Sequence, residues 1–338
     1  MANRREVAAA AGVSVRTVSN VVNGYVHVSD ATRKRVLQAI EEFDYRPSEL
    51  ARSLKVGRSG LIGLVLPELD TPYFAELTRA FVEEGVRHGA TVVIDQTDGD
   101  LERERYLIDR TDYGSLFDAL IISPLALTPD HLASVSADRP LVFLGEDPFP
   151  RFDHVMIDNR AAAREAVTHL LETGRRRIAA IGAEHHPHGS SSQRLDGYGD
   201  ALREAGLDVD ESLVVFVDSF RRAAGASATR RLLDRDVPPD ALFCFSDPLA
   251  LGAIRALHQR GVRIPDDVAV IGFDDIEDGR FSTPSLTTVS PDRRFIARTA
   301  LERVEAKLAK TAGESNKLTI APHRLEIRES SAAPTLPI

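Results

Sequence analysis

Four polar residues, Arg16, Thr17, Ser19 and Asn20, stand within five positions near the start of the sequence and could contact an anionic partner. They belong to a basic segment. Ten basic and six acidic residues give positions 1–58 a net charge of +4, whereas 32 basic and 45 acidic residues give the remainder −13. Segregated charge of this kind indicates that the head, and not the body, meets a polyanion.

Three histidines, His185, His186 and His188, could ligate a metal ion, but we expect no metal site there. They lie in a Gly/Ser-rich loop with no cysteine nearby and no helix to fix paired ligands. No Gly-x-x-x-x-Gly-Lys-Ser/Thr loop occurs and no Gly-x-Gly-x-x-Gly follows the first predicted strand, so we expect no cofactor. Residues 189–192, Gly-Ser-Ser-Ser, do not match the nucleophile elbow of a hydrolase.

Length and composition limit the class of protein. The chain has 338 residues, of which 43% are hydrophobic and 28% charged, and this suggests about two domains. A single cysteine, Cys244, excludes an internal disulfide and suits a reducing compartment. No apolar signal core follows Arg4 and Arg5, and no run of 18 apolar residues occurs, so we expect a cytoplasmic protein with no membrane span.

The first 58 residues predict three short helices that surround a small core. The first, Arg5–Ala11, ends at Gly12, and Ser14 caps the second, Val15–Val22. The tight connection between them is that of a helix-turn-helix, and it leaves Arg16, Thr17, Ser19 and Asn20 on the outer face. Ser29 caps the third helix, Asp30–Phe43. The expected core is Val7, Ala8, Val18, Val21 and Val22, and one face of the third helix carries Val36, Leu37, Ile40 and Phe43.

The rest of the chain predicts alternating strands and helices. Short continuous apolar strands separated by helices indicate parallel sheets covered on both faces. We expect a solvated helix end at Arg175–Arg177, a last helix at Arg293–Thr311 and a loose tail at Ser330–Ile338. The predicted strands are Leu61–Leu66, Thr91–Gln96, Ala119–Ile122, Leu141–Leu144, Val155–Ile157, Ile178–Ile181, Leu213–Val217, Ala241–Phe245 and Val268–Ile271.

Residues 6–23, Glu-Val-Ala-Ala-Ala-Ala-Gly-Val-Ser-Val-Arg-Thr-Val-Ser-Asn-Val-Val-Asn, resemble the DNA-binding signature of the lactose-repressor/galactose-repressor (LacI/GalR) family. Tyr45-Arg-Pro47 and Ala51-Arg-Ser-Leu-Lys55 resemble its hinge helix. The body matches the family's two-lobed, periplasmic-binding-protein-like effector domain in several phrases, which include Arg194–Tyr198, Ser246–Gly252, Gly272–Asp275 and Pro284–Val289. The resemblance therefore implies an α/β protein with an all-α helix-turn-helix head, a hinge helix and a two-lobed α/β domain.

This resemblance also implies domain boundaries. The DNA-binding domain would span residues 1–47, the hinge helix and linker 48–59, the effector-binding and dimerisation domain 60–330 and the tail 331–338. Within the body, the first lobe would hold about 60–158 and 292–320, and the second about 160–289 and 322–330. The chain would cross between lobes near Asp158–Arg160, Val289–Asp292 and Ile320–His323.

Roles in DNA contact carry over position by position. The second helix would enter the major groove, where Val15 could touch a thymine methyl group, Arg16 a guanine and Asn20 an adenine. The family usually has arginine where this chain has Asn20, so the base that faces it is expected to differ. In the minor groove, Leu54 of the hinge would wedge between base pairs, with Ala51 and Lys55 beside it. Positions that match phosphate contacts are Ser14, Thr17, Ser19, Asn23 and Thr32.

The body would bind a small-molecule effector between its lobes, at the carboxyl ends of the strands. Aromatic rings can stack on the apolar face of a pyranose while Arg and Asp pair with its hydroxyls, so a sugar-like effector is expected by analogy with the family. Positions that match family ligand contacts are Tyr73, Phe74, Ser123, Glu146, His188, Ser190, Arg194, Phe220, Asp247 and Asp274.

We therefore expect a homodimeric, ligand-responsive repressor of transcription that binds a palindromic operator in double-stranded DNA and is not an enzyme. No leucine heptad follows Thr311, so a dimer is favoured over a tetramer. Three alternatives stay open on the sequence: a binding protein without a DNA role, an α/β enzyme whose nucleophile is not visible, and a regulator whose cleft has lost its effector. The sequence does not define the effector, the direction of its effect, the operator or the regulated genes.

Overall fold

The computed structural model describes residues 3–22, 25, 27–45, 58–109, 117–137, 139–145, 149–185, 189–309 and 317–332. The chain divides into two units, residues 1–60 and 61–338. Within the described residues, no helix is both long enough and apolar enough to cross a membrane.

The first unit contains helices α1 (Arg4–Ala10), α2 (Val15–Val22) and α3 (Asp30–Glu42). Each begins where a polar side chain satisfies free backbone donors. Asn3 accepts hydrogen bonds from the backbone N–H groups of Arg5 and Glu6, and Ser29 accepts one from Thr32. Gly12 has a φ of 61°, and this left-handed conformation lets the chain turn between α1 and α2. The three predicted helices are confirmed.

Most of the predicted core of this unit is confirmed, since Val7, Ala8, Val18 and Val21 are buried. The apolar face predicted for α3 is wrong in part. Val36 and Ala39 are buried, whereas Leu37 is 51% exposed and Phe43, which ends the helix, is 38% exposed. Successive helical residues point about 100° apart, so Leu37 lies to one side of the buried face.

The second unit contains two six-stranded sheets. The strands of the first-lobe sheet are β1 (Leu61–Leu66), β2 (Thr91–Gln96), β3 (Ala119–Ile122), β4 (Leu141–Leu144), β5 (Asp153–Ile157) and β11 (Leu318–Ala321). Their order in the sheet is β11-β5-β4-β3-β1-β2, and all neighbouring strands are parallel.

The second-lobe sheet has the order β12-β10-β9-β8-β6-β7, with only β12 antiparallel to its neighbour. All nine predicted strands are confirmed. Strands β10 to β12 were not predicted: β10 and β12 are rich in polar residues, and β11 has only four residues. The strands are β6 (Ile178–Ala183), β7 (Val214–Phe216), β8 (Ala241–Cys244), β9 (Ala269–Phe273), β10 (Thr287–Pro291) and β12 (His323–Glu326).

Helices cover both faces of each sheet, as the apolar strands require. The first lobe has α4 (Pro72–Arg87), α5 (Leu101–Asp109) and α11 (Arg293–Leu308). The second has α6 (Asn159–Glu172), α7 (Ser190–Glu204), α8 (Arg222–Leu233), α9 (Asp247–Gln259) and α10 (Glu277–Arg280). Each lobe has two buried apolar clusters, one on each face of its sheet.

Three short passages join the lobes, at the positions expected from the sequence. They lie between β5 and α6, between β10 and α11, and between β11 and β12. Asp158 and Asp292 occupy the first two and cap the helices that follow, since they accept hydrogen bonds of 2.9 Å from the backbone N–H groups of Ala161 and Phe295. The change of lobe and the helix start are therefore set by the same residue.

Two sequence predictions for the body are wrong in part. At the predicted solvated helix end, Arg176 is exposed and donates to the carbonyl of Leu171 at 2.8 Å. Arg175 instead donates to the carbonyl of Pro265 at 2.6 Å, and Arg177 pairs with Asp210 at 3.3 Å. The tail is ordered at its start: Ser330 is buried and its hydroxyl donates to the carbonyl of Val270 at 2.6 Å. The partners of Arg175, Arg177 and Ser330 are distant in sequence, so local composition did not reveal them.

Close packing of α8 on α9 allows a test of the fold. A Cβ at Gly252 would lie 1.9 Å from the carbonyl oxygen of Arg222, so Gly252→Ala must push the helices apart. We expect a loss of about 1–3 kcal/mol in the free energy of unfolding, measured in urea. The control is Gly199→Ala in α7, whose Cβ would meet atoms no closer than 3.4 Å. Equal stability of the two variants would contradict this packing.

Candidate DNA-binding surface and effector cavity

The amino-terminal half of α2 presents polar and apolar groups to solvent. Val15 is 41% exposed and Arg16 is exposed, while Thr17 and Asn20 are half-buried. Arg16 and Asn20 are four residues apart and therefore lie on one face of the helix. Ser14 precedes the helix, and its hydroxyl accepts a hydrogen bond of 3.1 Å from the backbone N–H of Thr17.

The other predicted DNA contacts have mixed placements. Ser19 is only 9% exposed, so its predicted position on the outer face is wrong. It lies three residues before Val22, at the edge of the face that carries the buried Val18 and Val21. Thr32 is half-buried at the start of α3, beside the Ser29 hydroxyl at 2.9 Å. Outside the described residues lie Asn23, Ala51, Leu54 and Lys55.

A valine methyl group and a guanidinium thus lie at the exposed start of one helix, and a half-buried carboxamide lies one turn further along it. These groups can read base edges in a major groove: arginine can donate twice to guanine, and asparagine can pair with adenine. The surrounding basic segment supplies charge for phosphates. The surface has the chemistry that a recognition helix needs.

A cavity of about 530 Å³ lies between the two lobes of the second unit, a volume typical of small-molecule sites. It opens at the carboxyl ends of strands from both sheets. Seven of the predicted effector positions line it: Tyr73, Phe74 and Ser123 from the first lobe, and Ser190, Arg194, Phe220 and Asp274 from the second.

An aromatic pair forms part of the first-lobe wall. The rings of Tyr73 and Phe74 meet edge to face, with centroids 5.2 Å apart. Pro72 at the start of α4 places both residues in the first turn, directly after β1. Phe220 lines the cavity from the second lobe. Together these rings supply apolar surface against which the face of a sugar ring could stack.

Arg194 is the buried cation of the cavity, with 6% exposure. Its Nε donates to the Asn159 side-chain oxygen at 2.8 Å, and Nη1 donates to the carbonyl of Phe245. The guanidinium also lies 3.6 Å from the ring centroid of Phe273. These contacts hold the charged group rigidly at the cavity, where its orientation suits hydroxyl or carbonyl acceptors of a ligand.

Asp247, predicted to contact the effector, does not line the cavity. Its carboxylate is fully buried and accepts hydrogen bonds from the Thr288 hydroxyl at 2.6 Å and the Ile276 backbone N–H at 2.8 Å. Burial and the neighbouring Asp274 carboxylate raise the pKa of Asp247 well above its usual range. Its neighbour Ser246 lines the cavity instead. Glu146 and His188 lie outside the described residues.

Sequence reasoning missed a group of three charged side chains at the cavity, which links the two lobes. Arg221 of the second lobe donates to the two carboxylate oxygens of Asp70 at 2.7 and 3.2 Å, and to Glu68 at 3.2 Å. The hydrogen bond from Arg221 lowers the pKa of Asp70. The partners are about 150 residues apart, so no local pattern links them. The only sequence signal was the position of Arg221 directly after Phe220.

A second missed residue, Glu104 of α5, supports the wall that contains Ser123. Its buried carboxylate accepts hydrogen bonds from three successive backbone N–H groups, those of Leu125, Ala126 and Leu127, at 2.7 to 3.1 Å. A carboxylate satisfied in this way fixes the loop after β3 without any side-chain partner.

Two family models match the chain. Residues 5–48 match the model for bacterial regulatory proteins of the lacI family, and residues 167–331 match a periplasmic binding protein-like domain. The HTH-type transcriptional repressor PurR of Mannheimia succiniciproducens is 33% identical over 332 residues, which cover 98% of each chain.

Two solved structures extend the comparison. The transcriptional regulator CelR in complex with cellobiose is 32% identical, with a TM-score of 0.70, over 98% of this chain and 100% of that one. The lac repressor dimer bound to operator and the anti-inducer ONPF is 27% identical, with a TM-score of 0.86, over 98% and 99%.

The chain therefore belongs to the lacI family of bacterial regulatory proteins. Its two-unit organisation, the recognition helix and the inter-lobe cavity define a ligand-responsive, DNA-binding regulator of transcription with an effector-binding domain. PurR and the lac repressor are repressors and CelR is a regulator of transcription, so the chain is a regulator and not an enzyme.

Asp247→Asn isolates the effect of the buried carboxyl on stability. Because its pKa is raised on folding, the folded chain holds a proton that the unfolded chain releases, and stability falls as the pH rises above the ordinary carboxyl range. Asparagine keeps the oxygen that accepts from Ile276 and does not titrate. We expect the variant to lose less free energy of unfolding than the native chain between about pH 5 and pH 7 in urea titrations.

The control for this experiment is Asp278→Asn, which removes a carboxylate that is 56% exposed. This variant should follow the native pH dependence. A parallel pH dependence of D247N and the native chain would show that Asp247 does not gain a proton on folding.

Proposed function

We propose that the chain is a transcriptional repressor that binds a palindromic operator as a homodimer and is switched by a sugar or sugar derivative. The observation that carries the proposal is the convergence of aromatic rings, Arg194 and Asp274 on one cavity in a chain that also has an exposed recognition helix.

The DNA half of the proposal assigns base contacts to Val15, Arg16 and Asn20. The exposure of Val15 and Arg16 at the start of α2 supports direct readout, and the Arg16–Asn20 spacing lets both side chains reach one groove. Ser14, Thr17, Ser19, Asn23 and Thr32 are assigned to phosphates, which set register but carry no sequence information. Ser19 is the least accessible of the described residues in this set, with 9% exposure.

The hinge part of the proposal assigns Leu54 to the minor groove, with Ala51 and Lys55 beside it. A leucine wedge partly unstacks one base step, and the resulting bend lets more protein surface meet the duplex. Two wedges from a symmetric dimer would meet at the centre of the operator, where a flexible pyrimidine–purine step reduces the cost of bending.

Dimerisation is proposed because a two-fold protein suits a two-fold operator, and because the lac repressor structure is a dimer. Apolar side chains on the body support it. On the first lobe, Val82 and Val86 of α4 are 41% and 73% exposed, and on the second lobe Phe281 is 80% exposed. Large exposed apolar side chains are typical of surfaces that another subunit covers.

The effector half of the proposal rests on the chemistry of the cavity. Tyr73, Phe74 and Phe220 offer stacking surface, while Ser123, Arg194 and Asp274 offer donors and acceptors for hydroxyl groups. The related CelR structure contains cellobiose. A ligand that touches both lobes favours one lobe arrangement, and this would alter the spacing of the hinges and the affinity for DNA.

Selection of duplexes from a random DNA pool, at fixed salt, tests the DNA half. We expect a palindrome with a pyrimidine–purine step at its centre. In Arg16→Ala, affinity should fall about 5- to 150-fold, the equivalent of ~1–3 kcal/mol, and specificity should relax at one base of each half-site. Fluorescence anisotropy with the selected duplex measures the loss.

The control Arg235→Ala removes an exposed positive charge from the body and should leave operator affinity unchanged. If no sequence is enriched, with or without a mixture of metabolites in the selection, the proposed operator binding is wrong.

Thermal unfolding with a panel of mono- and disaccharides that includes cellobiose tests the effector half. A sugar that binds the native chain should raise its melting temperature. Asp274→Asn should weaken binding of that sugar about 10- to 150-fold, because a hydrogen bond to a charged group is worth ~1.5–3 kcal/mol. Asp236→Asn, which removes an exposed carboxylate of the same lobe that does not line the cavity, is the matched control. A sugar that stabilises D274N as strongly as the native chain would contradict this role of Asp274.

A further inference from the structure

The turn that presents Asp274 to the cavity has an unusual backbone. It connects β9 to α10 in the second lobe, and Asp274 and Asp275 have φ values of 108° and 52°. Both residues carry a Cβ, which disfavours positive φ, so the turn keeps this shape only where its surroundings hold it.

The second lobe supplies part of this support through side chains. The buried carboxylate of Asp275 accepts from Arg280 at 2.8 Å, Arg328 at 2.6 Å and the Ser290 hydroxyl at 2.9 Å. Asp247 accepts the backbone N–H of Ile276, as described above. These bonds fix the end of the turn, but they do not involve the backbone carbonyl groups of Asp274 and Asp275.

The first lobe holds both of those carbonyls. Arg293, the first residue of α11, donates from Nη1 to the carbonyl of Asp274 and from Nη2 to that of Asp275 at 3.2 Å. Its guanidinium is itself paired with Glu76 of α4, whose Oε2 lies 3.0 Å from Nη2. The other oxygen of Glu76 accepts the backbone N–H of Glu277, the first residue of α10, at 3.0 Å.

Helices α4 and α11 belong to the first lobe, whereas the turn belongs to the second. We propose that Arg293, held by Glu76, is a positioning residue for the effector site, which orients the Asp274 turn only when the lobes have the arrangement seen here. The Arg293–Glu76 clamp, as we name these two side chains, would make the second-lobe wall of the cavity depend on the first lobe. The role of this clamp in effector binding rests on the proposed function, whereas its contacts are present whatever the function is.

The geometry requires arginine at this position. Two carbonyls and one carboxylate lie around a planar group with several fixed donors, and a lysine ammonium is a single point that cannot span them. Glu76 must likewise offer two oxygens, one to Arg293 and one to Glu277. The pair is partly shielded, with side-chain exposures of 15% for Arg293 and 32% for Glu76, so solvent competes less than at an open surface.

Hydrogen–deuterium exchange of single amides in the full-length protein, without any ligand, tests the clamp. Four successive amides of the turn have different acceptors: Asp274 donates to Val289, Asp275 to Thr288, Ile276 to Asp247 and Glu277 to Glu76. Only the last of these four bonds crosses between lobes. In Glu76→Ala we expect exchange at Glu277 to rise about tenfold or more, while exchange in the strands stays native.

Two further variants separate positioning from general stability. Arg293→Lys keeps the charge but should also raise exchange across the turn, whereas Glu76→Gln keeps an acceptor oxygen and should restore slow exchange at Glu277 in part. Matched controls on the same helices are Glu83→Ala and Arg298→Lys, which alter exposed ion pairs and should leave the turn unchanged. Exchange at Glu277 within about twofold of native in both E76A and R293K would overturn the proposal.

A double-mutant cycle adds a second readout. With the sugar found in the panel, Arg293→Lys should weaken binding about tenfold in the native background and much less in the D274N background, because its effect passes through Asp274. Equal losses in the two backgrounds would contradict positioning. If the panel contains no binding sugar, the effector half of the proposed function fails, while the exchange experiment still decides whether the clamp holds the turn.

Discussion

The effector cavity depends on one buried charge, the guanidinium of Arg194. A cation with 6% exposure is tolerated only where hydrogen bonds and a polarisable surface replace its water. Asn159, the carbonyl of Phe245 and the ring of Phe273 supply these. The three partners come from the start of α6 and from the ends of β8 and β9, so the charged group that lines the cavity also ties together the elements that form its wall.

Two sets of contacts between the lobes involve residues that line the same cavity. Arg221 reaches Asp70 and Glu68 from the loop after β7, and the Arg293–Glu76 clamp reaches the Asp274 turn from α4 and α11. The first is exposed and should contribute little to stability, while the second is partly shielded. A molecule that binds in the cavity and contacts both lobes would favour or disfavour the lobe arrangement that these contacts stabilise. This is the physical basis for a switch.

The sequence predicts those features that depend on local pattern. Continuous apolar runs identified β1 to β9, and capping residues such as Ser14 and Ser29 located the helices of the first unit. The same reasoning failed at Ser19 and Leu37, where one helical step decides between core and solvent. It also placed Asp247 at the cavity in place of Ser246, since a motif gives the position of a residue but not the direction of its side chain. The inter-lobe partners of Arg221 and Arg293 are far apart in sequence, and only the fold brings them together.

The central claim is that effector binding in the cavity and operator binding by the first unit are coupled. The most direct test measures sugar affinity with and without the selected operator, and operator affinity with and without the sugar, in the full-length protein. Linkage requires that both pairs of affinities change by the same factor, which for allosteric coupling is typically about 5- to 150-fold. That result is predicted here. A sugar that binds in the cavity and leaves operator affinity unchanged would contradict the account.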